Sequence, residues 1–289
     1  MKKLLSISLL CGLLLTGCGS NTAKRSGSSE LPPLAPPERQ EFSQPLPETA
    51  SYTRYVRRFK NNQFESKTAE TFDDHDNIIR TADVNVTTNS ETPTRQYAYT
   101  YNEDGTVAEV CDYGYVSTRT VYTYNEDGKP LTIEIFDVDS GVLKSTDSCT
   151  YNEHGDLTKQ TRITGSKETF ISAYKYEYDD NGTMTVRYEL WSDDTEKSKE
   201  EFTYNGGLIS DTVKYIYGSN ELYCSKFHYE YDPEGRELLT EQTDMTDENT
   251  VKETYATVNT YDSTGRLIKR EKKINGIVSV YELYDYQQG

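Results

Sequence analysis

A tyrosine followed by Asx and, after a short polar segment, a glycine returns along most of this chain, and it restricts the fold more than any other feature. The fullest form is Tyr261-Asp262-Ser263-Thr264-Gly265-Arg266-Leu267. Shorter forms start at Tyr101, Tyr124, Tyr151, Tyr178, Tyr204 and Tyr231, so the leading tyrosines stand 23 to 30 residues apart. A repeat of that period builds a fold from identical supersecondary units, each of which packs on its neighbours. Phe72-Asp73-Asp74-His75-Asp76 reads as a further, degenerate copy, with Asp76 in the glycine position. Asp is among the residues that tolerate the left-handed conformation such a position needs.

Each copy has the grammar of a β-hairpin. Tyr97, Tyr99 and Tyr101 alternate with Ala98 and Thr100, and Tyr174, Tyr176 and Tyr178 do the same, which puts each set of rings on one face of a strand. The Asx starts a type I turn, and the glycine supplies the left-handed residue that closes it with a bulge. An apolar residue then opens the return strand, as at Val107, Leu131, Leu157, Met184, Leu208, Leu238 and Leu267. A looser turn, such as Asp139-Ser140-Gly141 or Asn275-Gly276, ends it. No window carries sustained helical periodicity with caps. The expected fold is all-β, an elongated antiparallel meander of about sixteen strands, twisted or curved into a coiled sheet or an open shell. Hydrophobic residues make up 34% even with 25 tyrosines counted. That is too little for a thick two-layer core, so the tyrosine rows are expected to be core first and ligand face second.

The N-terminus reads as a targeting segment. Lys2 and Lys3 precede an apolar run, Leu4 to Leu15, that is too short to cross a bilayer as a helix. Leu15-Thr16-Gly17-Cys18 resembles a bacterial lipobox, and that resemblance implies cleavage before Cys18 and lipidation of its thiol. Three segments follow: residues 1–17 as a lipoprotein signal peptide, 18–50 as a lipidated cysteine and disordered Pro/Ser-rich linker, and 51–289 as the repeat domain. Six of the nine prolines fall in the linker, which suits a spacer. Acyl chains would make this an extracytoplasmic, membrane-anchored lipoprotein with no transmembrane helix.

Tyr231-Asp232 through Gly235-Arg236 and Tyr261-Asp262 through Gly265-Arg266-Leu267 resemble the YD repeat of the RHS/YD-repeat family. The resemblance spans about residues 72–286, and the other copies keep Tyr-Asx and glycine but lose the arginine. It implies a strand-wound surface protein for which carbohydrate binding is one proposed role. The chain has too few copies to enclose a toxin.

Chemistry is sparse. There is no His-Glu-x-x-His, Gly-x-Ser-x-Gly or phosphate loop, and neither a catalytic residue nor a cofactor is expected. A net charge of −17 argues against nucleic acid as a partner. Cys111, Cys149 and Cys224 show no metal-binding spacing, and Cys149 takes the place of an aromatic on its strand. Asp179-Asp180-Asn181 and Asn102-Glu103-Asp104 could offer oxygen ligands at one sheet edge, but neither matches a calcium loop, and turn chemistry accounts for them. The reading is a lipid-anchored binding module for a glycan or another surface protein; the alternative is a structural or self-associating spacer. Its expected binding face comprises Tyr97, Tyr99, Tyr122, Tyr174, Tyr176 and Tyr229.

Overall fold

A computed structural model describes residues 50–114, 116–217, 222–246 and 250–288. The expected signal peptide, and the linker as far as residue 49, including Cys18, lie outside the described residues. The rest is all-β. Eighteen strands run from β1 (Tyr52–Lys60) and β2 (Gln63–Phe72) through β17 (Leu267–Ile274) to β18 (Ile277–Gln288). Each pairs antiparallel with the next in sequence, and β1 also pairs with β18. The sheet therefore closes on itself as a barrel, in place of the expected open sheet or shell. Closure removes the two edges that an open meander would expose.

The count exceeds sixteen because β1 and β18 pair as a ninth antiparallel couple. The strands between are β3 (Ile78–Val84), β4 (Glu91–Tyr101), β5 (Val107–Tyr113), β6 (Thr118–Tyr124), β7 (Pro130–Asp137), β8 (Leu143–Tyr151), β9 (Leu157–Thr164) and β10 (Lys167–Tyr178). They continue with β11 (Met184–Leu190), β12 (Glu196–Asn205), β13 (Leu208–Tyr217), β14 (Leu222–Tyr231), β15 (Glu237–Met245) and β16 (Val251–Tyr261). Eight Tyr-Asx or Phe-Asx turns join β2 to β3, β4 to β5 and so on to β16 and β17. At the seam, Tyr286 on β18 pairs with Arg54 on β1, in the place that the leading tyrosine takes in the other copies.

The turns follow the expected chemistry. The Gly265 amide donates to the Asp262 carbonyl (3.0 Å), while the Asp262 carboxylate accepts from the amides of Thr264 (2.8 Å) and Arg266 (3.0 Å). Gly265 has φ +88°, and Asp76, standing for glycine in the degenerate copy, has φ +61°. The ladder slips by one residue just before the tyrosine, as between Thr260 and Tyr261. Tyr101 then pairs with Val107, Tyr151 with Leu157 and Tyr261 with Leu267. The same offset of six puts Pro130 opposite Tyr124 and Glu237 opposite Tyr231. Leu131 and Leu238, expected to open their strands, sit one residue later, and Leu131 is exposed.

All these turns line one rim of the barrel, and the looser turns line the other, hereafter the far rim. Ala50 and the end of β18 lie at the Tyr-Asx rim, since Tyr52 pairs with Gln288. Successive copies are latched there. The hydroxyl of Tyr124 donates to the Val107 carbonyl of the preceding copy (2.6 Å), Tyr151 to Pro130 (2.7 Å), Tyr204 to Met184 (2.7 Å), Tyr261 to Glu237 (2.9 Å) and Tyr286 to Leu267 (3.0 Å). Apolar burial is scattered in small groups, such as Ala69, Ala82 and Val84 with Tyr55, and Cys111, Tyr113 and Val138.

Candidate functional site

Strand alternation and the closed register carry one set of side chains round the whole barrel, and this set holds the aromatic rows. Tyr97, Tyr99 and Tyr101 stand in file on β4 with ring centroids 6.3 and 6.1 Å apart. Tyr174, Tyr176 and Tyr178 repeat the file on β10 at 6.3 Å, Tyr122 and Tyr124 on β6 at 6.2 Å, and Phe227 and Tyr229 on β14 at 6.5 Å. All six expected face residues thus lie on one face and all are half-buried, but on four separate strands. They form files along the barrel wall and not one continuous cluster. Several hydroxyls are already committed: that of Tyr176 donates to the Leu157 carbonyl (2.6 Å), and Tyr229 shares a hydrogen bond with Thr212.

The richest part of this aromatic face runs from β10 to β13. The register places Tyr176 beside Arg187, Arg187 beside Glu200, and Glu200 beside Lys214, with Phe202 one pair nearer the Tyr-Asx rim. Arg187 pairs with Glu200, its guanidinium 5.9 Å from the ring centres of both Tyr174 and Phe202. Lys214 reaches the other Glu200 oxygen at 2.9 Å. Burial alone would raise the Glu200 pKa, but the hydrogen bond from Lys214 and the charges of Arg187 and Lys214 outweigh it and hold the carboxyl below its ordinary value. On β4 and β5 the same elements recur: Arg95 forks onto Asp112 (Nε to Oδ1 2.8 Å) and lies 5.3 Å from the Tyr97 ring centre. Asp147, fully buried, is held by Arg162 at 2.6 and 2.7 Å and by Gln160 at 3.1 Å. Rings flanked by fixed charged hydrogen-bonding groups can stack on a flat apolar surface while bonding hydroxyls at its edge.

At the Tyr-Asx rim five of the eight turns reach over the tyrosine of the next copy, a role not read from the repeat alone. Arg236 covers Tyr261 at 5.0 Å and Arg266 covers Tyr286 at 5.3 Å. Lys129 stands over Tyr151 at 5.8 Å. His75 stacks on Tyr101 and His154 on Tyr178, both with centroids 3.9 Å apart. The recurrence of a cation or imidazole late in the turn was the available signal.

Among the described residues, Asp73, Asp74 and His75 bring ligand atoms within 4.8 Å of one another. Asp73 is already saturated, however. It accepts the amides of His75 (3.0 Å) and Asn77 (2.9 Å) on one oxygen and the Tyr101 hydroxyl on the other. Asp179 is likewise occupied by the amides of Asn181 (2.9 Å) and Thr183 (2.8 Å). The segments 102–104 and 179–181 share a rim but are separated by the turns at 125–129 and 152–156, so they do not converge. Cys111, Cys149 and Cys224 are free and buried, and burial pushes the Cys111 thiol up to about 11. Cys149 sits beside Tyr151 in the aromatic file, as its place in the repeat predicts.

No protein-family model matches the chain, and no curated protein matches it. Among solved structures it is similar to a porin-like protein from Bacteroides uniformis, at 11% identity over 83% of this chain and 98% of that one, with a TM-score of 0.43. It is also similar to TcdB2-TccC3-TEV, at 12% identity and a TM-score of 0.31 over 81% of this chain; the chain spans 16% of that protein's length.

Proposed function

We propose that this is a lipid-anchored, extracytoplasmic barrel of YD-type repeats that binds a surface polymer, foremost a glycan, on its aromatic face. The observation that carries the reading is the coincidence of half-buried tyrosine files with fixed ion pairs, above all Tyr174, Tyr176 and Phe202 around Arg187, Glu200 and Lys214. Sugar rings present flat C–H faces edged by hydroxyls, and this arrangement offers partners for both. Charged groups lie on both faces of the wall. Arg54–Glu70 and Arg162–Asp147 belong to the aromatic face, and Arg119–Glu109 and Arg80–Glu91 to the opposite face. A lipid-facing wall would place such groups in hydrocarbon at about 2–4 kcal/mol for each Arg or Lys near the midplane. That favours a barrel held at a membrane by its acyl chains over one that spans it.

Two experiments test the parts separately. Mass analysis of the N-terminal peptide from a bacterial membrane fraction should find diacylglycerol on Cys18, and Cys18→Ser should release the protein from membranes. Glycan arrays and wall-polysaccharide pull-downs should give binding that Tyr174→Ala or Arg187→Gln weakens tenfold or more while the fold persists by circular dichroism. Blank arrays and pull-downs with a folded protein would remove the binding function, whatever the outcome for Cys18.

A further inference from the structure

The two rims of the barrel differ in chemistry. The Tyr-Asx rim is acidic, with Asp73, Asp74, Asp76, Glu103, Asp104, Glu126 and Asp127 in three consecutive turns. In the far rim, the turns at 61–62, 85–90, 165–166 and 275–276 hold no charged residue, while those at 138–142 and 191–195 carry Asp139, Asp193 and Asp194. Eighteen large apolar side chains are exposed among the described residues, and fifteen lie in or near the far turns. The other three, Leu131, Leu208 and Ile268, sit by the Tyr-Asx turns, so the distribution is not a general property of the surface. Each of the nine far turns supplies at least one of the fifteen, including Phe64, Val116, Val142 (60% exposed), Trp191, Val251 and Ile277 (74% exposed).

Neighbouring far turns are two strands apart, about 10 Å at ~4.8 Å per strand. The apolar tips therefore form a near-continuous annulus. Fifteen side chains exposing roughly half of ~150–200 Å² each give on the order of 1,000 Å² of apolar surface. That exceeds the ~300–600 Å² of the largest patch on a typical monomer. It matches the ~800 Å² per partner that a stable protein interface buries.

We propose that the far rim docks end-on against the far rim of a second copy. Three observations select that occupant. The area fits a stable dimer. The residues come from both faces of the wall, Ile163 from the side opposite the tyrosines and Ile216 from theirs, so they converge only at the rim and suit an end-on contact. Each chain carries −17, and two such chains repel less through the far rim, whose described turns hold fewer acids than those of the Tyr-Asx rim. A ring set on an identical ring by a two-fold axis in the plane of contact is self-complementary and closed, so assembly stops at two. The β1 and β18 ends stand at the opposite rim, clear of the contact.

Sedimentation of the full chain, compared with two triple variants, tests this. Val142→Asp/Trp191→Ser/Ile277→Asp should shift a concentration-dependent dimer to monomer, raising the dissociation constant at least a hundredfold. Leu131→Asp/Leu208→Asp/Ile268→Asp, at the other rim, should leave the dimer intact. Association through the apolar N-terminal segment would ignore both sets. If the far-rim triple fails to fold by circular dichroism, the single Ile277→Asn variant, at a site three-quarters exposed, serves instead and should weaken the dimer at least tenfold. A wild type that sediments as a monomer, or a dimer indifferent to the far-rim substitutions, overturns the proposal. So does a monomer that floats with phosphatidylcholine vesicles and loses them on far-rim substitution, which would assign the rim to a bilayer surface.

Discussion

At the scale of single residues, the repeat works through a few backbone and charge requirements that can be tested one at a time. Gly105 has φ +83°, and a Cβ built there meets no atom within 4 Å. Gly105→Ala should therefore destabilise the barrel by about 1–2 kcal/mol through backbone conformation alone. Thermal melts should show the loss, and Gly105→Asn should recover part of it because Asn tolerates the left-handed region. Glu200 makes a second case. Its carboxyl is held below the ordinary 4.5, so its stabilisation is complete above pH 4.5 and is lost as pH falls through the lower folded value. Glu200→Gln should cost about 2 kcal/mol at neutral pH, the size of a lost charged hydrogen bond. The difference from wild type should shrink on acidification, as read from denaturant midpoints at pH 7 and pH 3. The turn roles of Asp262, Gly265 and Asp76 were legible in the sequence because each is decided within five residues. The covering of Tyr261 by Arg236 was not, because the two meet only after a whole copy has folded back.

At the scale of the hairpin, the tyrosine of each copy joins one element to the one before it. Tyr261→Phe keeps the ring under Arg236 and removes only the hydroxyl bond to the Glu237 carbonyl. It should cost about 1 kcal/mol. Tyr261→Ala also removes the buried ring surface and should cost about 3 kcal/mol or more. Comparing the two melts separates latch from packing; equal losses would mean that the hydroxyl bond carries the whole effect. Strand alternation, turn type and the shared face of Tyr97, Tyr99, Tyr122, Tyr174, Tyr176 and Tyr229 could all be read from the period of two. The separation between the files could not, since it depends on which strands become neighbours. The one-residue slip that sets Pro130 and Glu237, and not Leu131 and Leu238, opposite their tyrosines also escaped a search for apolar residues. The six-residue offset is kept by the bulge and not by hydrophobicity.

At the scale of the molecule, closure decides what the local rules leave open. Every copy can form its hairpin whether the sheet ends open or shut. The decision rests on β1 and β18, whose side chains Arg57 and Asp285 meet 228 residues apart in sequence. A chain ending at Gly276 lacks β18 and leaves β1 and β17 with unpaired edges. It should lose its sharp cooperative melt and scatter light at micromolar concentration, as circular dichroism and static scattering would record. A compact, non-aggregating chain with an unchanged melt would show that closure contributes nothing.

The composition of β1 has a consequence for how the chain is made. In a protein of net charge −17, this strand reads Tyr-Thr-Arg-Tyr-Val-Arg-Arg-Phe-Lys, four cations and no acid. During synthesis from the N-terminus it is the first strand to emerge, and its partner β18 is the last. Throughout that interval β1 has one open edge, and the cations on it resist pairing with the same strand of another chain. The late-arriving β18 brings Glu282 and Asp285 to Arg58 and Arg57. The charge that guards the waiting strand is thus the charge that admits its proper partner, and the barrel carries its own order of assembly in nine residues.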